Sequence, residues 1–108
     1  MSANFIEIES REQLEGLFKS SSERPVAILK HSSTCGISAH IYETISEIDA
    51  TVNVVVVQNH REISDEIVNL TGHRHQSPQA FVIKDGKAVY HATHYGIDPA
   101  KIEEALNR

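Results

Sequence analysis

The spacing of apolar positions changes several times along the chain, and each change marks an element. Asn4-Phe5-Ile6-Glu7 reads as a short strand. Ser10-Arg11-Glu12-Gln13 has the form of a capping box: the serine oxygen accepts an orphan N–H of the first turn and the glutamine reaches back. A helix to about Ser20 follows, with Leu14, Leu17 and Phe18 on one face. Pro25 opens Val26-Ala27-Ile28-Leu29, a run too short for a helix and suited to a strand covered on both faces. Beyond residues 31–35, Ile37, Ile41, Ile45 and Ile48 recur at helical spacing and predict a second helix. Residues 52–57 are nearly all valine, the strongest strand signal in the chain. Asn59-His60-Arg61-Glu62 predicts another cap, with a helix to Thr71 stopped by Gly72. Ala80-Phe81-Val82-Ile83 follows Pro78, and Asp85-Gly86 signals a hairpin that pairs residues 87–92 with it. Asp98-Pro99 places a capping carboxylate and a first-turn proline before a last helix to Arg108.

The resulting order is β-α-β-α-β-α-β-β-α. Two strand–helix–strand crossovers come first, and a right-handed crossover requires parallel neighbours. A hairpin then adds antiparallel strands. The expectation is an α/β protein with a mixed central sheet, helices on both faces, and residues 1–108 in one domain.

Composition narrows the function classes. The formal charge is −5, and the ten Lys and Arg are scattered. Binding phosphates needs a concentrated basic patch, so neither nucleic acid nor an anionic membrane is an expected partner. No apolar run is long enough to span a bilayer, and residues 1–9 lack the basic start and apolar stretch of a secretory signal, which points to the cytoplasm. The single cysteine cannot form an internal disulfide, so a reaction at it needs a partner from another molecule.

That cysteine, Cys35, falls between a buried strand and a helix. Unpaired N–H groups and the positive end of the helix dipole meet it there. Such positions bring a thiol's pKa from about 8.5 toward roughly 3.5–7.5 and favour the nucleophilic thiolate. The motif is Cys35-Gly36-Ile37-Ser38. A serine at 38 can donate a hydrogen bond to the thiolate but cannot resolve a mixed disulfide, so the chemistry halts there until a second thiol arrives.

His75-Gln76-Ser77-Pro78 is the second candidate. In this topology Ser77-Pro78 opens a central strand beside the Cys35 loop, and a cis peptide bond there would present the Ser77 backbone to an extended partner. His73, His75 and His94 fall on loops expected to approach Cys35, and His31 ends the strand leading to it. His40, His60 and His91 read as solvated or edge positions. No two histidines share a standard ligand spacing within one element, so no metal is expected.

Ser33-Thr34-Cys35-Gly36-Ile37-Ser38, His75-Gln76-Ser77-Pro78-Gln79-Ala80 and Thr93-His94 together resemble the YtxJ-like monothiol bacilliredoxins, a branch of the thioredoxin superfamily. The resemblance spans nearly the whole chain, and the element order is that of a thioredoxin-like fold. It implies reduction of protein–bacillithiol mixed disulfides, with Cys35 as the attacking thiol. Bacillithiol, a cysteine-glucosamine-malate thiol, would be a co-substrate, with no cofactor bound. Partners would be S-thiolated client proteins and the small thiol. Ser38 would stabilise the thiolate. Thr34, Gly36, Ser77 and Pro78 would border the substrate; His75 and His94 are candidates to bind the malate carboxylates, a role that the family pattern does not itself assign. The chain departs from the family pattern at Gly36, where proline is usual, which costs roughly 1 kcal/mol of helix propensity against a good helix former. Two other readings stand beside this one: the same mechanism with glutathione or coenzyme A, and a non-catalytic thioredoxin-like binding module.

Overall fold

The computed structural model describes residues 2–108; Met1, the first residue of the acidic N-terminal stretch, lies outside them. Four strands and three helices run through the chain in the expected order before the closing hairpin strand and last helix: β1 (Asn4–Glu7), α1 (Arg11–Ser20), β2 (Val26–His31), α2 (Gly36–Ile45), β3 (Thr51–Val56), α3 (Arg61–Thr71), β4 (Gln79–Lys84), β5 (Lys87–Thr93) and α4 (Pro99–Leu106). A 3₁₀ turn, His94–Gly96, follows β5 and was not expected from the apolar pattern.

The strands form one sheet in the order β1-β3-β2-β4-β5. β3 lies parallel to both β1 and β2, as the two crossovers require, whereas β4 runs antiparallel to β2 and to β5. The chain is thus an α/β protein with a mixed sheet. Asp85 and Gly86 take positive φ at the β4–β5 turn, the left-handed pair that two-residue hairpins favour.

Side chains alternate along each strand, so the sheet splits the core in two. Ala27, Leu29, Val52, Val54, Ala80 and Val82 face α2 and α4 and meet Ile41, Ile45, Ile102 and Ala105. Ile48 lies past the end of α2 but still packs in this layer. Val26, Ile28, Val55, Phe81 and Ile83 face the other way, against Leu14 of α1 and Ile63 and Ile67 of α3.

Ser10 caps α1 through its hydroxyl, which accepts the Gln13 N–H at 3.1 Å. The Gln13 side chain accepts the Glu9 N–H at 2.9 Å rather than that of Ser10, so the box closes one residue early. Asp98 caps α4, accepting the Ala100 N–H at 2.9 Å. The cap expected at 59–62 is different: His60 occupies the N-cap of α3 but its side chain makes no cap bond, and its Nδ1 instead lies 3.4 Å from Glu62 Oε1. Gly72 ends α3 in the left-handed region, φ 77°. α4 stops at Leu106, short of Arg108.

Candidate active site

Cys35 is the N-cap of α2, in extended backbone with φ −103° and ψ 123°. It is a free thiol, partly exposed. Its carbonyl accepts the Ala39 N–H at 3.1 Å, which starts the helix and leaves the N–H groups of the first turn aimed at its side chain. Those donors hold the thiol below its ordinary pKa. The Ser38 N–H contributes most; burial, the next largest effect, opposes it, and the Ser38 hydroxyl and the Ile37 N–H add to the lowering. Ser38 itself is fully buried, and its Oγ accepts the Ser32 N–H at 3.3 Å. With that lone pair taken, the hydroxyl proton is free to point at sulfur. Gly36 is the first residue of α2 and is exposed; a side chain there would meet nothing within 4 Å.

The loop before Cys35 is held from a distance. Gln58, in the loop between β3 and α3, has its Nε2 2.6 Å from Ser32 Oγ and 3.2 Å from Thr34 Oγ1, and its Oε1 accepts the Ser33 N–H at 3.1 Å. Sequence reasoning missed Gln58, since a single glutamine after a strand carries no signal of its own. A cavity of about 500 Å³ begins at Ser33 and is bordered by His31, Tyr42, Phe5, Glu7 and Asn59. The Phe5 and Tyr42 rings stack at 4.1 Å on its wall.

The Ser77–Pro78 peptide bond is cis. Pro78 is buried, and its carbonyl accepts the His94 N–H at 3.0 Å, which ties the 3₁₀ turn to the start of β4. That turn packs against α2, with the Tyr95 ring 6.0 Å from His40. Gln79, fully buried, pins the approach to Ser77: its Nε2 donates to the Arg74 carbonyl at 2.9 Å and its Oε1 accepts the Gln76 N–H at 3.4 Å.

The histidines divide differently from the sequence expectation. His94 joins Pro78 as described. His73, expected near Cys35, instead stacks on His91 at 3.8 Å and packs on Phe81, on the α1/α3 face of the sheet, whereas Cys35 opens α2 on the other face. His91 is on the edge strand, as expected, but is half-buried rather than solvated, with Nε2 2.9 Å from Gln79 Nε2. His60 is also half-buried. His75 turns its Nδ1 inward, 3.3 Å from Lys30 Nζ and 3.2 Å from Ser64 Oγ, beside a cavity of about 140 Å³ lined by Val57, Arg61, Ser64 and Asp65. His31 ends β2 with its ring against Tyr42 and a buried Nδ1 that has no partner among the described residues. Burial pushes His31 below its usual pKa, opposed by the Ser38 backbone, and burial likewise lowers His75 and His91.

Lys30 is a second residue the sequence reading passed over. It continues the alternation of Val26 and Ile28 onto the α1/α3 face and is fully buried. Burial lowers its pKa to about 8, with Asp65 partly compensating. Among the described residues no three of His, Cys, Asp and Glu gather closely enough to hold a metal ion.

A lone thiol at a helix N-terminus, above a mixed sheet of this order, defines a thiol–disulfide oxidoreductase of thioredoxin fold. The chain is similar to a solved structure described as a candidate oxidoreductase with a thioredoxin fold, at 33% identity and TM-score 0.82, covering 94% of this chain and 92% of that one. It has the fold of a thioredoxin from Malassezia sympodialis (19% identity, TM-score 0.73, 99% and 90% covered) and of reduced Schistosoma mansoni thioredoxin pre-protein (21%, 0.72, 96% of each). The family model for the monothiol bacilliredoxin BrxC matches residues 6–102, and the chain belongs to that family.

Proposed function

We propose that the protein removes bacillithiol from S-thiolated client proteins in the cytoplasm, with Cys35 as the attacking thiol. What carries this reading is the pairing of one activated thiol at the α2 N-cap with a buried serine, not a second thiol, at position 38. A dithiol site can expel a bound protein by itself; this one cannot, so its natural product is a mixed disulfide.

The Cys35 thiolate attacks the bacillithiol sulfur of the client's mixed disulfide. The client–bacillithiol S–S bond breaks, the client leaves as a thiolate that takes up a proton, and a Cys35–bacillithiol disulfide forms. A second thiol, as thiolate, then attacks that disulfide and leaves with bacillithiol, returning Cys35 to the thiolate. The net result is an exchange: the second thiol is oxidised into a disulfide with bacillithiol, the client cysteine is reduced to its thiol, and Cys35 is unchanged.

The N–H groups of Ser38 and Ile37 and the Ser38 hydroxyl stabilise the Cys35 thiolate both as nucleophile and as leaving group. Thr34, Gly36, Ser77 and Pro78 border the substrate, with the Ser77 backbone available to pair with an extended client segment. His94 stands at the edge of this surface. His75 can contribute only through Nε2, since Nδ1 is held by Lys30 and Ser64. The cavity that begins at Ser33 offers room for the non-cysteine part of a small thiol.

Mass spectrometry of Cys35 after incubation with a bacillithiolated protein tests the reading. The expected product is Cys35 carrying bacillithiol, with an equal amount of client restored to free thiol. No transfer from the bacillithiolated client, with transfer from a glutathionylated or coenzyme A-modified one, would replace the co-substrate. No transfer from any of them would overturn the mechanism.

A further inference from the structure

The hydrogen bonds around Cys35 form a chain that ends in a residue outside the site. Ser38 Oγ is held by the Ser32 N–H, Ser32 and Thr34 are held by Gln58 Nε2, and the intervening Ser33 N–H is held by Gln58 Oε1. The Gln58 amide has two N–H donors and one carbonyl oxygen, and all three groups are engaged with residues 32–34. These residues precede the α2 N-terminus and have no helix or strand bonds of their own. Their remaining internal ties are the Cys35 N–H to the Ser32 carbonyl at 3.4 Å and Ser32 Oγ to Thr34 Oγ1 at 3.4 Å, both long.

We infer that Gln58 is a positioning residue for the thiol chemistry: it clamps residues 32–34 so that the Ser32 N–H occupies Ser38 Oγ and leaves the Ser38 proton for the Cys35 thiolate. The inference rests on the reading of Cys35 as the attacking thiol. Gln58 does not contact the sulfur; it acts on it through Ser32 and Ser38, and its one direct tie to the expected substrate border is the 3.2 Å bond to Thr34 Oγ1. Without the clamp, residues 32–34 move, the Ser38 hydroxyl regains its freedom to rotate, and the thiolate loses an oriented donor.

The test uses Gln58→Met, which keeps the length of the side chain and loses all three bonds, and Gln58→Glu, which keeps acceptance from Ser33 and loses both donations. Gln58 is exposed, so both variants are expected to fold, and thermal unfolding checks this. Cys35 alkylation and bacillithiol transfer are followed against pH. In both variants the alkylation midpoint is expected to rise, transfer at pH 7 to fall about three- to tenfold, and the deficit to close above about pH 8.5, where any free thiol ionises. Because Gln58 acts through Ser38, Gln58→Met is expected to slow Ser38→Ala little further, whereas independent effects would multiply. An unchanged midpoint, with or without slower transfer, would overturn the inference, as would multiplication of the two effects. Transfer that survives in Cys35→Ala would instead overturn the reading of Cys35 on which it rests.

Discussion

Replacing Lys30 by methionine is expected to stabilise the protein at neutral pH. The Lys30 side chain is fully buried on the α1/α3 face of the sheet. Among the described residues no carboxylate comes within ion-pair distance of its Nζ, and the one hydrogen-bond partner is His75 Nδ1 at 3.3 Å. Burial takes its pKa from the ordinary 10.5 to about 8. At about 1.4 kcal/mol per tenfold, the fold works against the ammonium by roughly 3 kcal/mol. Methionine matches the length of the side chain and fills the same space without charge. The lost bond to His75 gives back about 1 kcal/mol, and Ser64 still serves Nδ1. The net gain at pH 7 is about 2 kcal/mol, or a rise in Tm of roughly 10 °C for a chain of this size. The sign with pH is fixed as well. Between about 8 and 10.5 the unfolded chain keeps the Lys30 proton while the folded chain loses it, so wild-type stability from this group rises with pH in that window. The variant lacks that rise, so its advantage shrinks above about pH 8. Urea unfolding followed by far-ultraviolet circular dichroism across this range, with a non-thiol reductant, measures both effects. A variant less stable than wild type at pH 7, or a difference that stays constant as pH rises past 8, would refute the reasoning.

Thiolate absorbance should show Cys35 titrating below a free thiol, and Ser38→Ala should raise the midpoint and slow transfer by about tenfold or less while Cys35→Ala abolishes it; a midpoint at or above about 8.5 in the wild type would remove the activating role of the helix N-terminus. With serine at 38 the protein should reduce insulin far more slowly than a dithiol thioredoxin, and equal rates in a turbidity assay would contradict the single-thiol mechanism. Gly36→Pro should stabilise the fold by about 0.5–1 kcal/mol and leave it active, because the first helical position needs no N–H donor and Cys35 already has the extended backbone a following proline requires; a loss of stability in urea unfolding would show that residue 36 needs glycine. His31, His75 and His91 are held below their usual pKa, so the unfolded state takes up protons first and Tm should fall as pH drops below about 6.5; a Tm constant from pH 7 to 5 would contradict this.

Much of the site was legible before any coordinates. Cys35 follows an apolar run and precedes an isoleucine stripe, and both patterns are properties of residues two to four apart. That is enough to place the thiol at a helix N-terminus with Ser38 one turn on. The same local character made the Asp98 cap and the Asp85-Gly86 turn readable. Two crossovers and a hairpin then leave few sheet topologies, and the observed β1-β3-β2-β4-β5 order is among them.

Tertiary structure alone decided what depends on which distant residues meet. Gln58 and Ser33 are 25 positions apart and are joined by a loop-to-loop contact that no periodicity encodes. His73 falls on a loop that could have turned to either face of the sheet, and stacking on His91 over Phe81 settled it toward α1 and α3. Lys30 is the clearest case. Its position in the alternation of β2 marked it as inward-facing, but lysine is almost never fully buried without a partner. Only the packing of α3 and the 75 loop over that end of the strand, with His75 to accept from it, put a charged side chain inside. The sequence determines the period of each element, because neighbours along the chain enforce it. It leaves open the pairing between elements, because that is fixed by whichever surfaces exclude the most water together.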